Sequence, residues 1–329
     1  MKICIWCEVT DQPWGGSNQF LRAFSKELTR LGHDITHKPQ KGCDVVLINA
    51  HNTGPGTYLS PNHVAELKQR GRISSYGSLI STSLWTLLPR RGPFLFHRLD
   101  GVPESYRRVK TKADDIQFTV NPLADFTIFQ SDYCRNDFEQ RGIHPLRSRV
   151  IYNGTDPLLF YPTGDPLPMD SILRLVAVSW SMNIHKGFAK LAEISQIPGV
   201  EIRFIGRWPP SIGTAKVILL GTKTSPQTAE ILRQSHAMIH AAENDPCSNA
   251  IIEALASGLP VLFKDSGGNR ELAGDYGIVL TNNTKMDIEQ LRYSYKELRE
   301  KILEHRSRFL IGRAAGQYLD AFQSALSSH

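Results

Sequence analysis

An α/β architecture with parallel sheets, divided into two domains, follows from three observations on the 329-residue chain. Strand-like and helix-like segments alternate from end to end. Pro157, Pro162, Pro166 and Pro168 fall close together near the middle, and the alternation restarts after them. The length also exceeds what one hydrophobic core usually fills, while the 41% apolar content suits globular folding.

Each element has a local reason. Lys2 to Cys7 is a short apolar run and the first strand. Pro13 to Asn18 is turn chemistry, after which Phe20, Leu21, Phe24, Leu28 and Leu31 recur at helical spacing, so a helix runs from about Ser17 until Gly32 stops it. Asp44 to Asn49 is a buried strand. Pro61 and Gly71 bracket a helix over Pro61 to Arg70. Strands Phe94 to Leu99, Phe126 to Phe129 and Arg149 to Tyr152, with a helix over Asp132 to Gln140, complete the first half. The second half reads as strand Leu173 to Val178, helix Gly187 to Ile197, strands Glu201 to Ile205 and Lys216 to Leu220, and helix Pro226 to Ser235. Helical stretches over about Lys285 to Glu304 and Ile311 to Ser327 end the chain. The predicted partition is a first domain over 1–156, a linker over 157–172, a second domain over 173–306, and a final helical segment over about 307–329.

Bulk properties narrow the function classes. No apolar run reaches the roughly 18 residues of a membrane span, and the start of the chain has no signal-peptide pattern. Five scattered cysteines suit a reducing compartment, so a cytoplasmic location is expected. Cys4 and Cys7 have two-residue spacing but no second ligand pair, so no metal site is predicted. The net charge of +6 fits polyanionic ligands such as nucleotide diphosphates and leaves room for peripheral contact with the inner-membrane face. Nucleic-acid recognition modules are not evident, so nucleic acid is not an expected partner.

The most informative stretch is Glu243 to Leu272. Ala237 to Ala241 is a short strand, Ser248 is a good N-cap, Asn249 to Ser257 reads as a buried helix stopped by Gly258, and Pro260 opens another strand. A helix start at the carboxyl edge of a parallel sheet offers unpaired N–H groups and a positive dipole end, so a diphosphate fits at Ser248, Asn249 and Ala250. Glu253 lies about 7 Å further along the helix, at about 1.5 Å per residue, where its carboxylate can accept hydrogen bonds from a ribose. Glu243 or Asp245, in the loop before the helix, can reach the sugar at the other end.

This segment resembles the donor-site signature of retaining glycosyltransferases of the GT-B fold, the large family 4, whose pattern is Glu, seven residues, Glu. The same spacing runs here from Asp245 to Glu253, with Asp in the first position and Glu243 two residues earlier as a substitute. Glu253-Ala-Leu and Gly258-Leu-Pro260 extend the match. Further correspondences are Gly15-Gly16 before the first helix, Gly32-His33 after it, Ile151 to Asp156, Lys186-Gly187-Phe188 and the closing Tyr318 to Phe322. The resemblance implies two Rossmann-like domains facing a cleft, the first on the acceptor side and the second binding the nucleotide sugar, with the C-terminal helix crossing back to the first domain.

It also implies roles for other groups. Lys186 would meet the diphosphate from the side opposite Ser248. Relatives commonly carry an Arg five residues before that Lys; position 181 here is Ser, and Arg207 is the candidate for partial replacement. Gly15 and Gly16 would let backbone approach the donor, and Gly267-Gly268 would lie near the diphosphate. His97 and Asp100, flanking a strand end, are candidates to bond the transferred sugar or the acceptor hydroxyl. The implied activity is transfer of a sugar from a UDP- or GDP-type donor to a glycan, glycolipid or protein hydroxyl, with retention and no cofactor or metal, in surface glycan or glycolipid biosynthesis. Rival readings are a non-catalytic nucleotide-sugar-binding partner protein, favoured by Ser181 and Asp245, and a nucleotide-sugar epimerase of the same fold.

Overall fold

Strands such as Val45–Asn49 and Phe94–Leu99 are buried at every position, the polar Asn49, His97 and Arg98 included, as sheets covered on both faces require. The computed structural model describes residues 1–9, 16–54, 56–74, 81–87, 90–164 and 167–327. Gly15 and Pro166 lie outside the described residues. Two compact units emerge: Met1–Asp11, Leu21–Tyr152 and Ala314–His329 form the first, and Gln12–Phe20 with Asn153–Arg313 the second.

In chain order the first half runs β1 (Lys2–Trp6), α1 (Gly16–Arg30), β2 (Asp34–Thr36), β3 (Val45–Asn49), β4 (Asn52–Gly54), β5 (Thr57–Tyr58), α2 (Pro61–Arg70), α3 (Thr82–Thr86), β6 (Phe94–Leu99), α4 (Pro103–Arg107), α5 (Lys112–Val120), β7 (Phe126–Phe129), α6 (Asp132–Gln140) and β8 (Ser148–Val150). The strand order is β2-β1-β3-β6-β7-β8, all pairs parallel, with β4 and β5 a separate antiparallel ribbon. Trp6, Val46, Ile48, Leu67 and Leu95 share one core cluster, and Leu99, Phe129 and Phe138 another. The C-terminal α12 (Ile311–Ser327) contributes to this unit from Ala314 onward: the Tyr318 ring lies tilted 4.7 Å from Phe24, and Phe322 lies 4.6 Å from Phe96.

The second unit continues with β9 (Leu173–Ser179), α7 (Phe188–Ile194), β10 (Val200–Gly206), β11 (Ile218–Gly221), α8 (Ser225–Arg233), β12 (Ala237–His240), α9 (Asn249–Ala256), β13 (Val261–Phe263), α10 (Asn269–Ala273), β14 (Gly277–Val279) and α11 (Thr284–Glu304). Its sheet, again all parallel, has the order β11-β10-β9-β12-β13-β14. This is the doubly wound order 3-2-1-4-5-6. Leu175, Phe188, Ile202, Phe204, Ile239, Leu262 and Leu291 form its core. The unit begins at Asn153, ahead of the prolines, because that segment is tied into it: Asn153 Nδ2 donates to Asn249 Oδ1 at 3.0 Å, and the Thr155 main chain bonds to Phe309 and Ile311.

Several elements are additional to those read from the sequence. β2 and β14 have three residues each, too short for a periodic signal. α5 carries a capping box, with Thr111 and Asp114 bonding each other's main chain. All five cysteines are free and buried; burial pushes the Cys4 thiol up to about 12 and the Cys7 thiol up to about 11. Among the described residues no helix is long and apolar enough to cross a membrane.

Candidate active site

Open parallel sheets bind ligands outside the carboxyl ends of their strands, at the point where strand order reverses. In the second unit that point lies between β9 and β12. The chain leaves β9 through a loop ending in Lys186 and leaves β12 through a loop carrying Glu243 and Asp245, so topology alone delivers these three groups to one edge. Arg207 follows β10 and reaches the same edge: its N–H donates to Ser179 O at 3.0 Å.

Lys186 Nζ lies 2.7 Å from Asp245 Oδ2. Burial alone raises the Asp245 carboxyl, but Lys186 and His240, whose Nε2 is 3.7 Å away, hold it well below the usual carboxylate range. Asp245 is therefore an inward-facing anion. Glu243 turns the other way, because Asn244 between them has φ 51°, a left-handed conformation that Asn tolerates better than most residues. Glu243 accepts a hydrogen bond from Lys264 Nζ and sits 3.5 Å from His185 Nδ1. Gly267 fixes this loop from the next strand. Its φ is +64°, and a Cβ there would fall 2.5 Å from Asp245 O. The N–H of Gly268 is used within the fold, donating to Asp245 O at 2.8 Å, so it is not a phosphate donor here.

α9 starts where the sequence places it. Ser248 is the N-cap, with Oγ accepting from Ile251 N at 3.4 Å. The first helical residues, Asn249 and Ala250, present the N–H groups that a helix start leaves unpaired. Gly16 opens α1 within the segment grouped with this unit, where a Cβ would fall 2.2 Å from Asn249 Nδ2, so no larger side chain fits unchanged. Glu253 sits partway along α9 between the buried Ile252 and Ala254. Among the described residues its carboxyl has no hydrogen-bond or ion-pair partner, and burial pushes its pKa up to about 8. An unpaired, desolvated carboxyl is a costly feature for stability alone, which makes Glu253 a candidate ligand contact.

In the first unit the strand order reverses between β1 and β3, the corresponding edge. Asp100, just after β6, is half-buried there and has no side-chain partner among the described residues. His97 does not fit the role expected of it. It is fully buried, Nε2 donates to Ala50 O at 2.7 Å, Nδ1 faces Asn121 Nδ2 at 3.3 Å, and burial lowers its pKa to about 4. A neutral ring with both nitrogens engaged has none to offer a sugar. It supports Ala50, whose φ of 51° is unusual for a residue with a side chain.

Two participants were not singled out from sequence: Lys264, paired with Glu243, and His240, beside Asp245. Register would have found Lys264. β12 pairs with β13 so that His240 stands opposite Phe263, which puts residue 264 beside the β12 exit loop.

Residues 183–296 match the family model described as Glycosyl transferases group 1. No curated protein sequence matches the chain. Solved structures share its fold. Sucrose-phosphate synthase from Thermosynechococcus elongatus is 15% identical with TM-score 0.67, covering 100% of both chains. The Anabaena protein HepE, in complex with UDP-glucose, is 16% identical with TM-score 0.67, covering 98% of this chain and 100% of its own. AviGT4, a glycosyltransferase involved in avilamycin A biosynthesis, is 15% identical with TM-score 0.64, covering 100% of this chain and 98% of its own. The two-unit α/β fold is thus that of GT-B glycosyltransferases.

Proposed function

We propose that a chain with a group 1 glycosyl transferase segment at its donor-side edge and a GT-B fold is itself a glycosyltransferase of family 4. In this reading it moves a sugar from a UDP- or GDP-type donor to a hydroxyl acceptor with retention of anomeric configuration. The observation that carries it is the unpartnered Glu253 carboxyl on α9, eight positions after Asp245 and beyond a helix start. A ribose offers such a carboxyl two hydroxyl donors, and the attached diphosphate then meets the helix N-terminus. The HepE complex with UDP-glucose supports the same class of ligand.

The chemistry follows from where charge grows. Cleavage at the anomeric carbon leaves a nucleoside diphosphate, and fixed positive groups stabilise it most when they are already in place. Lys186, the exposed Arg207 guanidinium and the α9 N-terminus supply that charge without a metal. A donor phosphate oxygen takes the acceptor proton in a same-face displacement. The acceptor is assigned to the first unit, with Asp100 its candidate contact, and a glycan or glycolipid handled at a cytoplasmic membrane face fits the +6 charge.

Ser181 keeps the binding-only reading in view. Its Oγ accepts from Asn183 N at 3.2 Å, and its carbonyl accepts from Ser179 Oγ at 2.8 Å, so that position holds a loop together where relatives carry a guanidinium. Incubation with labelled nucleotide sugars and a panel of hydroxyl acceptors separates the two. Release of nucleoside diphosphate with label moved to an acceptor, or to water, supports the transferase. Tight nucleotide binding with intact donor after prolonged incubation supports a partner protein.

A further inference from the structure

The two acids before α9 have separate partners, and of the outer pair only Glu243 has a candidate role, while Lys264 has none. Lys186 and Asp245 are largely enclosed, with side-chain exposures of 22% and 11%. Lys264 and Glu243 keep 44% and 31% and stand at the same strand edge. The outer pair is also rigidly mounted. Asn269, fully buried in the first turn of α10, donates from Nδ2 to both Ala242 O and Lys264 O at 3.0 Å, tying the residue before Glu243 to Lys264 itself. Ser266 Oγ accepts from Asn244 N at 3.0 Å and fixes the residue on Glu243's other side. A solvent-facing ion pair contributes little to stability, so such bracing has a better explanation in recognition.

We infer that Lys264 and Glu243 together read the transferred sugar, with Lys264 the specificity-determining residue, and that they select an uncharged sugar with free neighbouring hydroxyls. This rests on the donor-site reading above. The chemistry is complementary: the ammonium only donates and the carboxylate only accepts, whereas adjacent hydroxyls do both. One hydroxyl accepts from Lys264 while its neighbour donates to Glu243, and the ion pair need not be broken to admit them. A sugar carrying a carboxylate reaches Lys264 only by facing Glu243, and that like-charge approach disfavours it. Asp245, already holding Lys186, is left as the anchor of the diphosphate cation.

The test compares nucleotides with nucleotide sugars by calorimetry. UDP and GDP are the sugar-free probes; UDP-glucose, UDP-galactose, UDP-N-acetylglucosamine, GDP-mannose and UDP-glucuronic acid carry the sugars. The wild type binds at least one neutral nucleotide sugar about tenfold more tightly than its parent nucleotide, and UDP-glucuronic acid no more tightly than UDP. Lys264→Ser and Glu243→Gln each remove that gain while leaving affinity for the parent nucleotide within about twofold. Lys264→Arg restores part of it. Glu243→Gln also admits UDP-glucuronic acid, since the repelling charge is gone. If neither nucleotide binds, the donor-site reading fails and this inference with it. If nucleotides bind but the variants keep the sugar-dependent gain, or the uronic acid is preferred by the wild type, only the sugar-reading pair is overturned.

Discussion

Lys186 Nζ and Asp245 Oδ2 are 2.7 Å apart, so the cation at the end of one switch-point loop and the first acid of the Asp-to-Glu spacing hold each other in place. The pair joins the exits of β9 and β12, the two strands between which the sheet reverses. Its partners therefore brace the two loops as well as being the groups proposed to meet the donor.

Removing one partner should cost stability as well as activity. Lys186→Ala leaves Asp245 enclosed, with His240 as its remaining ion-pair partner among the described residues, a loss of about 2–4 kcal/mol, discounted from fully buried pairs because some solvent reaches the site. The double variant Lys186→Ala/Asp245→Asn recovers much of that stability and none of the turnover. Urea unfolding of the four members of the cycle measures it. The pH dependence has a defined sign: Asp245 is held below its unfolded value, so its contribution is complete above about pH 4 and is lost as pH falls further. That acid-side loss shrinks in Lys186→Ala.

Glu253 titrates in the opposite sense. Its folded pKa is up at about 8, against roughly 4.3 in an unfolded chain, so the native state holds a proton that the unfolded state has released. Ligand-free stability therefore falls as pH rises from about 4.5 to about 8. Glu253→Gln removes this slope and stabilises the free protein at pH 8 by on the order of 1–2 kcal/mol, the residue's partial exposure limiting the effect. Ribose hydroxyls favour the ionised carboxylate, so nucleotide binding releases protons near pH 7. Titrations in buffers of different ionisation enthalpy read that release directly.

The local structure of the candidate donor edge was largely legible in the sequence, because helix caps, strand runs and one spacing all pointed to the same edge. Ser248, Asn249 and Glu253 lie where the N-cap and helical rise put them. The orientation of the two acids was not legible: it depends on the backbone at Asn244, and an Asn in a loop adopts left- or right-handed conformations with little local signal. Lys264 was missed because its partner comes from another strand. His97 was misread for the reason that polar residues at strand ends mislead in general. With Asp100 it flanks a strand end, which makes it a candidate ligand contact, but parallel strands in this fold are covered on both faces, and its bonding to Ala50 and Asn121 comes from segments distant in sequence.

His97 thus becomes a test of scaffold against site. His97→Ala removes the partner of Ala50 O and one of the two partners of Asn121 Nδ2, and opens a core cavity, with an expected loss of about 2–4 kcal/mol. In the wild type this ring stays neutral while an unfolded His protonates, so stability falls as pH drops from about 6.5 towards 4. His97→Ala lacks that dependence, and its affinity for nucleotide in the second unit is unchanged at temperatures where it is folded. Denaturant titration across pH, with nucleotide binding measured alongside, checks both parts.

Gly267→Ala probes the loop that holds the acids. A left-handed φ and a Cβ 2.5 Å from Asp245 O force the loop between Asn244 and Gly268 to shift. The expected result is a loss of more than about 1 kcal/mol in stability and a weaker grip on nucleotide sugar, seen as a raised KM with retained secondary structure by circular dichroism.

Whether Glu253 is a nucleotide ligand is decided by titrating UDP and GDP into the wild-type chain and into Glu253→Gln at pH 8. The wild type should bind one of the two with a saturable heat and a rise in melting temperature. Glu253→Gln, folded and somewhat more stable when free, should bind it at least about tenfold more weakly, a difference of about 1.4 kcal/mol. Equal affinity in the two proteins, or no binding of either nucleotide by the wild type, would contradict the assignment of this edge as a nucleotide-sugar site.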